Sequence, residues 1–350
     1  MIRRPPLRPR QAVAAAGLLV AAGALAFGGW WWWQQGQQAA RRTQAEPLQC
    51  ALPAQAADAP HPGMVWVPGG SFAYGDTVYP EEQPVRQVTV PGFWIDRTEV
   101  TNDAFAEFVR ATGYVTVAER PVDPRLHPGL PPEMQQPGAV VFEMPNAVSG
   151  TGDIRQWWRY VPGANWRHPG GPKTDLTGRG SLPVVAVTYE DALAYARWKG
   201  RSLPGEMQWE HAARYGQPAG PAPHDQPAAA NTWQGLFPVA NSAQDGFVGA
   251  APVGCFAPNP AGLYDMVGNV WELTADAYTP DHALDADSPP GSLAPLVRAA
   301  TAPQRVIKGG SFLCAPNYCM RYRAGARQAQ ESDLAASHVG FRTVLNAPGP

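Results

Sequence analysis

Glycine and proline punctuate this chain so often that a helical bundle is disfavoured and much irregular backbone is expected. With 36 Gly and 39 Pro among 350 residues, a residue that frees or locks the backbone recurs every few positions and ends or kinks whatever element it meets. Against this stand 13 tryptophans, whose large rings demand a buried interior. Together they predict a compact globule with much irregular backbone, and the helix and strand signals within it make an α+β domain of low regular content. The periodic segments agree. Residues Met64 to Val67, Val85 to Val90 and Phe93 to Ile95 read as strands, the first closed by the turn Pro68-Gly69-Gly70. Thr101 is placed to cap a helix carrying Phe105, Phe108 and Val109 on one face, with Gly113 as its stop. Thr188 and Asp191 form a capping box ahead of Ala192, Leu193, Tyr195, Ala196 and Trp198, and Gly200 ends that helix. A third helix is expected from near Pro204 through Trp209 to Gly216. Pro121 to Pro137, Ala222 to Ala230 and Tyr278 to Pro303 read as loops or insertions, and there is no internal repeat.

The N-terminus bears on compartment. Arg3, Arg4, Arg8 and Arg10 precede an uncharged apolar run from Ala12 to Trp33, and a run of about 20 such residues spans a hydrocarbon core roughly 30 Å thick. The expected order is a cytoplasmic tail at 1–11, a transmembrane signal anchor at 12–33, a linker at 34–61 and a catalytic domain at 62–346. Basic residues ahead of the run place the domain outside the inner membrane, in the periplasm or beyond. A cleaved signal with Ala24-Leu25-Ala26 as its cleavage box is the alternative. Cys50 lies too far from the apolar run to be a lipid attachment site. The 27 basic and 29 acidic residues nearly cancel, which argues against a nucleic-acid partner, since such binders present a basic face.

Cys314 and Cys319 are separated by Ala-Pro-Asn-Tyr. Five positions apart, they point to opposite faces of a strand and diverge by about 140° on a helix. Their sulfurs meet only if the chain turns between them, and Pro316-Asn317 is a good turn pair. Spacing alone favours a plain disulfide in an oxidising compartment. Two close thiolates also suit Cu(I), whereas zinc wants four ligands that the neighbourhood does not offer.

Nine segments, in order, resemble the formylglycine-generating enzyme family, also called sulfatase-modifying factors. They are MVWVPGGSFAYG from Met64, FWIDRTEVTNDAFAEFV from Phe93, GANWRHPGGP from Gly163, LPVVAVTYEDALAYARWKGRSLP from Leu182 and WEHAARYG from Trp209. NTWQGLFPVANSAQDGF from Asn231, GLYDMVGNVWELT from Gly262, KGGSFLCAPNYCMRYRAGAR from Lys308 and VGFR from Val339 complete the set. The resemblance implies a C-type-lectin-like α+β fold with long ordered loops and bound calcium. It implies that Cys314 and Cys319 hold Cu(I), with Ser311 in the active site. The activity implied is O2-dependent oxidation of a cysteine, in an unfolded or extended sulfatase-type Cys-x-Pro-x-Arg segment, to formylglycine.

By the same resemblance one calcium site uses Asn231, Thr232, Asp245 and Phe247. A second uses Asp265, Gly268, Val270 and Glu272, with backbone carbonyls as calcium prefers. Three positions depart from the family pattern. Ala315 stands where His is usual, His338 where Asn is common and Gly205 where Thr is usual. His61, His127, His168, His211, His224 and His282 show no metal-ligand spacing. A different class of function is a non-catalytic periplasmic maturation or ligand-binding factor on the same scaffold, with Cys314 and Cys319 as a disulfide.

Overall fold

Hydrogen-bonding capacity stranded by the short elements is taken up by pairing distant ones. In the computed structural model, residues 50–55, 58–122, 129–217, 225–282, 303–347 and 349 are described. Strand β1 (Met64–Val67) pairs antiparallel with β4 (Phe93–Asp96), and the C-terminal β11 (Val344–Leu345) closes the other edge of β4. Strands β2 (Gly70–Tyr74) and β3 (Arg86–Val90) form a hairpin whose residues alternate between exposed and covered faces, the half-buried pattern of a two-layer fold. A second hairpin joins β5 (Gly138–Phe142) to β6 (Trp158–Pro162). The sheet that carries the site has β7 (Trp271–Ala277), β8 (Gln304–Lys308) and β9 (Arg327–Glu331) antiparallel, with β10 (Val339–Gly340) parallel to β7.

Three helices complete the α+β fold. Helix α1 (Asn102–Thr112) starts where Thr101 Oγ1 accepts the Ala104 N–H and stops at Gly113, which is left-handed at φ 67°. Helix α2 (Tyr189–Trp198) carries the expected capping box, Thr188 N–H donating to Asp191 Oδ2 at 2.8 Å. Helix α3 (Glu206–Arg214) starts two residues after Pro204, behind Gly205, which has no side chain to cap it. Asp276 on β7 supplies the missing acceptor, taking the Glu206 N–H at 2.5 Å.

The largest core packs the apolar faces of α1 and α2, through Phe105, Phe108 and Tyr195, against Trp271, Leu273 and Ile307 of the site-bearing sheet. Trp157, Trp166, Trp209, Trp233 and Trp271 are fully buried, each removing on the order of 150–250 Å² from water.

Charge is buried beside this core. Lys308 and Arg327 are both 0% exposed. Lys308 Nζ donates to Glu210 at 2.8 Å and to Glu206 at 3.3 Å, while Arg327 grips both Glu206 oxygens at 2.9 and 3.0 Å. Burial alone would raise the Glu206 carboxyl, but Arg327 and Lys308 overcome it and hold that group well below the ordinary carboxylate range. Because Lys308 ends β8 and Arg327 begins β9, these pairs fix both ends of the intervening loop 309–326.

Two findings differ from the sequence reading. Cys50, given no partner there, forms a disulfide with Cys255 across 205 residues. Residues 50–55, read as part of the linker, are packed on the domain: Pro53 C=O accepts from Arg97 at 3.0 Å, and Gln55 bonds Met64 and Gly63 at 2.7 and 2.6 Å. Among the described residues no helix is long and apolar enough to cross a membrane. The apolar run Ala12 to Trp33 lies outside the described residues, as do His127, His224 and most of the 278–303 insertion.

Candidate active site

Loop 309–326 bends twice at its start. Gly309 and Gly310 have φ of 92° and 79°, and a Cβ on Gly310 would lie 2.6 Å from the Arg321 carbonyl, so glycine is required there. Cys314 N–H then donates to Ser311 C=O at 2.9 Å, and Tyr318 N–H to Ala315 C=O at 3.1 Å. The second bond closes the turn expected at Pro316-Asn317. Asn317 locks it with a two-way clasp on Phe237, donating to its carbonyl at 3.0 Å and accepting its N–H at 3.2 Å. The Tyr318 ring stacks on Phe237 at 4.4 Å.

These turns bring the two sulfurs together. Cys314 and Cys319 are free thiols, hydrogen-bonded to each other; the disulfide alternative is not formed between them. Burial pushes the Cys314 thiol well up, whereas the hydrogen bond from Cys314, and then the Arg321 guanidinium, lower Cys319. Arg321 is itself held by Glu81 and by the face of Tyr79 at 4.1 Å. Arg323 is gripped by Asp76 at 2.5 Å and Glu82 at 2.7 Å. The sequence reading missed Asp76, Glu81 and Glu82, which are 240 or more residues away in sequence from the arginines they hold.

A cavity of about 560 Å³ opens over the sulfurs, within the size range of small-ligand and peptide side-chain pockets. It is lined by Ser311, Cys314 and Cys319, by the aromatic rings of Trp158, Trp271 and Tyr318, and by the charged Glu81 and Arg321. Ser311 is buried, and its Oγ accepts the Leu313 N–H at 3.3 Å. His338 also lines the cavity, its ring tilted against Trp158 at 4.6 Å. Burial lowers this imidazole to about 3, so it is neutral at physiological pH. Ala315 faces the other way, into an aromatic cluster with Trp157, Trp233 and Phe237.

Two free, mutually hydrogen-bonded cysteines lining one cavity are a donor set that fits Cu(I). Among the described residues no group of three or more His, Cys, Asp or Glu side chains is arranged to hold a metal ion.

The first calcium segment is drawn together by Asn231, whose amide donates to Gly249 C=O at 2.9 Å, while Asp245 Oδ1 accepts the Phe247 N–H at 3.0 Å. Asp245 Oδ2 is buried without a partner, the mark of an oxygen that fits a cation. Thr232 Oγ1 accepts from Gln226 at 2.7 Å, leaving its carbonyl as the candidate donor. The second segment is more encumbered. Glu272 spends both oxygens on Arg342 at 2.7 Å and one also on Trp209 at 2.8 Å. Asp265 accepts the Gly254 N–H at 2.6 Å and is raised to about 6, chiefly by burial. Gly268 lies beneath Asn231 at a φ of 79°, and Val270 is buried at the entrance to β7. Glu99, which the sequence reading did not single out, joins this cluster. Its Oε1 accepts from Asn269 at 2.9 Å and its Oε2 is buried without a hydrogen-bond partner. A buried acidic excess of this kind suits a cation.

Comparison with known proteins sets this geometry in context. The family model described as "Sulfatase-modifying factor enzyme 1-like domain" matches residues 49–347. A protein of Mycobacterium tuberculosis named formylglycine-generating enzyme is 51% identical over 292 residues, covering 81% of this chain and 97% of that one. A Mus musculus protein named inactive C-alpha-formylglycine-generating enzyme 2 is 38% identical over 311 residues, covering 85% and 90%. Among solved structures, PvdO from Pseudomonas aeruginosa superposes with a TM-score of 0.53 at 24% identity over 80% of this chain and 93% of its own, a likeness of fold alone. The chain belongs to the family of sulfatase-modifying factor enzyme 1-like domains.

Proposed function

We propose that this protein is an exported formylglycine-generating oxidase. In this reading it converts the cysteine of an extended sulfatase-type Cys-x-Pro-x-Arg segment to formylglycine with O2, using Cu(I) on Cys314 and Cys319. The observation that carries the reading is the pair of free, mutually hydrogen-bonded thiols lining the cavity, together with the name of the relative that is 51% identical. Copper bound there would supply O2 activation next to the substrate sulfur and the removal of hydrogen from its Cβ.

The chain's own residues do the rest. Cys314 and Cys319 would hold the metal as thiolates, so its binding would displace their protons. Arg321, fixed by Glu81, keeps positive charge beside the Cys319 thiolate. Trp158 and Tyr318 offer flat aromatic surface to an extended segment. Ser311 lines the same cavity. Calcium at the Asp245 and Asp265 segments would hold the loops behind the site. The Cys50–Cys255 disulfide supports an oxidising compartment, as does the apolar run at 12–33 read as a membrane anchor.

The test is direct. Purified protein is incubated with Cu(I), O2, a reductant and a synthetic Cys-x-Pro-x-Arg peptide. The peptide should become lighter by the difference between CH2SH and CHO. Cys314→Ser or Cys319→Ser should abolish both conversion and copper uptake. A peptide left intact, under conditions in which the Mycobacterium tuberculosis relative converts it, would remove the oxidase reading. The second reading, a non-catalytic factor on the same scaffold, draws on the relative named inactive and on the departures at Ala315 and His338. It predicts no conversion and no copper uptake.

A further inference from the structure

We propose that His338 is a specificity-determining residue of the cysteine cavity, donating a hydrogen bond from Nε2 to a backbone carbonyl of the extended client segment; this rests on the oxidase reading. The inference starts from an unpaid polar group on the cavity wall. His338 Nδ1 is buried and has no hydrogen-bond partner. Nε2, by contrast, is not among the inaccessible orphans, and no hydrogen bond to it exists among the described residues. It is therefore the ring nitrogen open to a ligand.

The tautomer follows. A neutral imidazole carries one N–H and one bare nitrogen, and a stranded buried N–H is rarer than a stranded acceptor. The proton thus belongs on Nε2. The ring cannot drift from this position. Its backbone carbonyl accepts the Trp271 N–H at 2.9 Å, just before β10 pairs with β7, and its face rests on Trp158 at 4.6 Å. An extended peptide displays a carbonyl at every residue, and Trp158, against which the His338 ring lies, lines the same cavity as Cys314 and Cys319. A donor at this position fixes the register in which the client cysteine reaches the sulfurs.

The experiment uses the full chain with its cysteines reduced and measures binding of the synthetic Cys-x-Pro-x-Arg peptide by fluorescence anisotropy, without copper, alongside KM and kcat with copper. His338→Phe keeps the ring against Trp158 and removes the donor. It should weaken peptide binding and raise KM about tenfold, the loss of one hydrogen bond, with kcat and copper stoichiometry unchanged. His338→Asn restores a donor and should recover most of the binding. Unchanged binding by His338→Phe in a protein that converts the peptide overturns the inference and leaves the oxidase reading standing. Loss of copper uptake in His338→Phe also overturns it, since the ring would then serve the metal. Wild-type protein that neither binds nor converts the peptide overturns both.

Discussion

An imidazole lowered by burial alone sets its own pH signature. His338 has a folded value of about 3, below the roughly 6.5 of an unfolded histidine. The unfolded chain therefore takes up a proton that the folded chain refuses as pH falls between those values. The stability tied to a neutral His338 is complete above the unfolded value and is lost on acidification, by up to about 1.4 kcal/mol per pH unit within the window. Urea midpoints measured from pH 7 to 4 should fall less steeply for His338→Asn than for wild type. Identical slopes would mean that the ring is not held neutral. Residues of this kind were legible from text where their chemistry is local. The turn at Pro316-Asn317 was readable between Cys314 and Cys319, whereas the choice of these cysteines and Ser311 as site residues came from the resemblance of the whole segment, since spacing alone favoured a disulfide. Glu81 and Glu99 were legible in neither way. Each meets its partners only through the folded chain, and an isolated Glu in a loop looks like any solvated carboxylate.

Among the elements, loop 309–326 depends on its two ends. Lys308 and Arg327 are wholly buried against Glu206 and Glu210, and a buried pair that loses one partner leaves an uncompensated charge. Lys308→Met should lower stability by roughly 3–5 kcal/mol. It should also speed amide exchange through 309–326 before the rest of the sheet opens, with copper uptake reduced in step. If exchange rises uniformly across the domain, the loop has no special dependence on this anchor. A smaller effect tests the shared cap of α3: Asp276→Ala should cost about 1 kcal/mol, read from the denaturant midpoint, because Gly205 cannot replace the lost acceptor. Helices α1 and α2 were readable because Thr101, Gly113, Thr188 and Asp191 are local signals. Strands β7 to β9 escaped the reading. Their buried faces carry Glu272, Lys308 and Arg327, so the apolar alternation that marks a strand is broken by paired charges.

At the scale of the molecule, one covalent link spans what no local pattern could have joined. Cys50 and Cys255 are 205 residues apart, and pairing at that distance is decided by the folded path, which sequence spacing does not encode. The link fixes the start of the domain beside Gly254, whose Cα lies against Leu52 and whose N–H reaches Asp265. Closing so long a loop restricts the unfolded chain far more than the folded one, so the double variant Cys50→Ser/Cys255→Ser should lose roughly 2–5 kcal/mol. Its cysteine cavity should remain intact, because neither Cys50 nor Cys255 lines it. Copper stoichiometry and peptide conversion measured well below the new midpoint should then match wild type, while the denaturation midpoint drops. Reductant, which the oxidase assay requires, should shift the wild-type midpoint towards that of the variant and leave the variant unmoved. A wild-type midpoint indifferent to reductant would mean that the Cys50 link contributes nothing to the fold's stability.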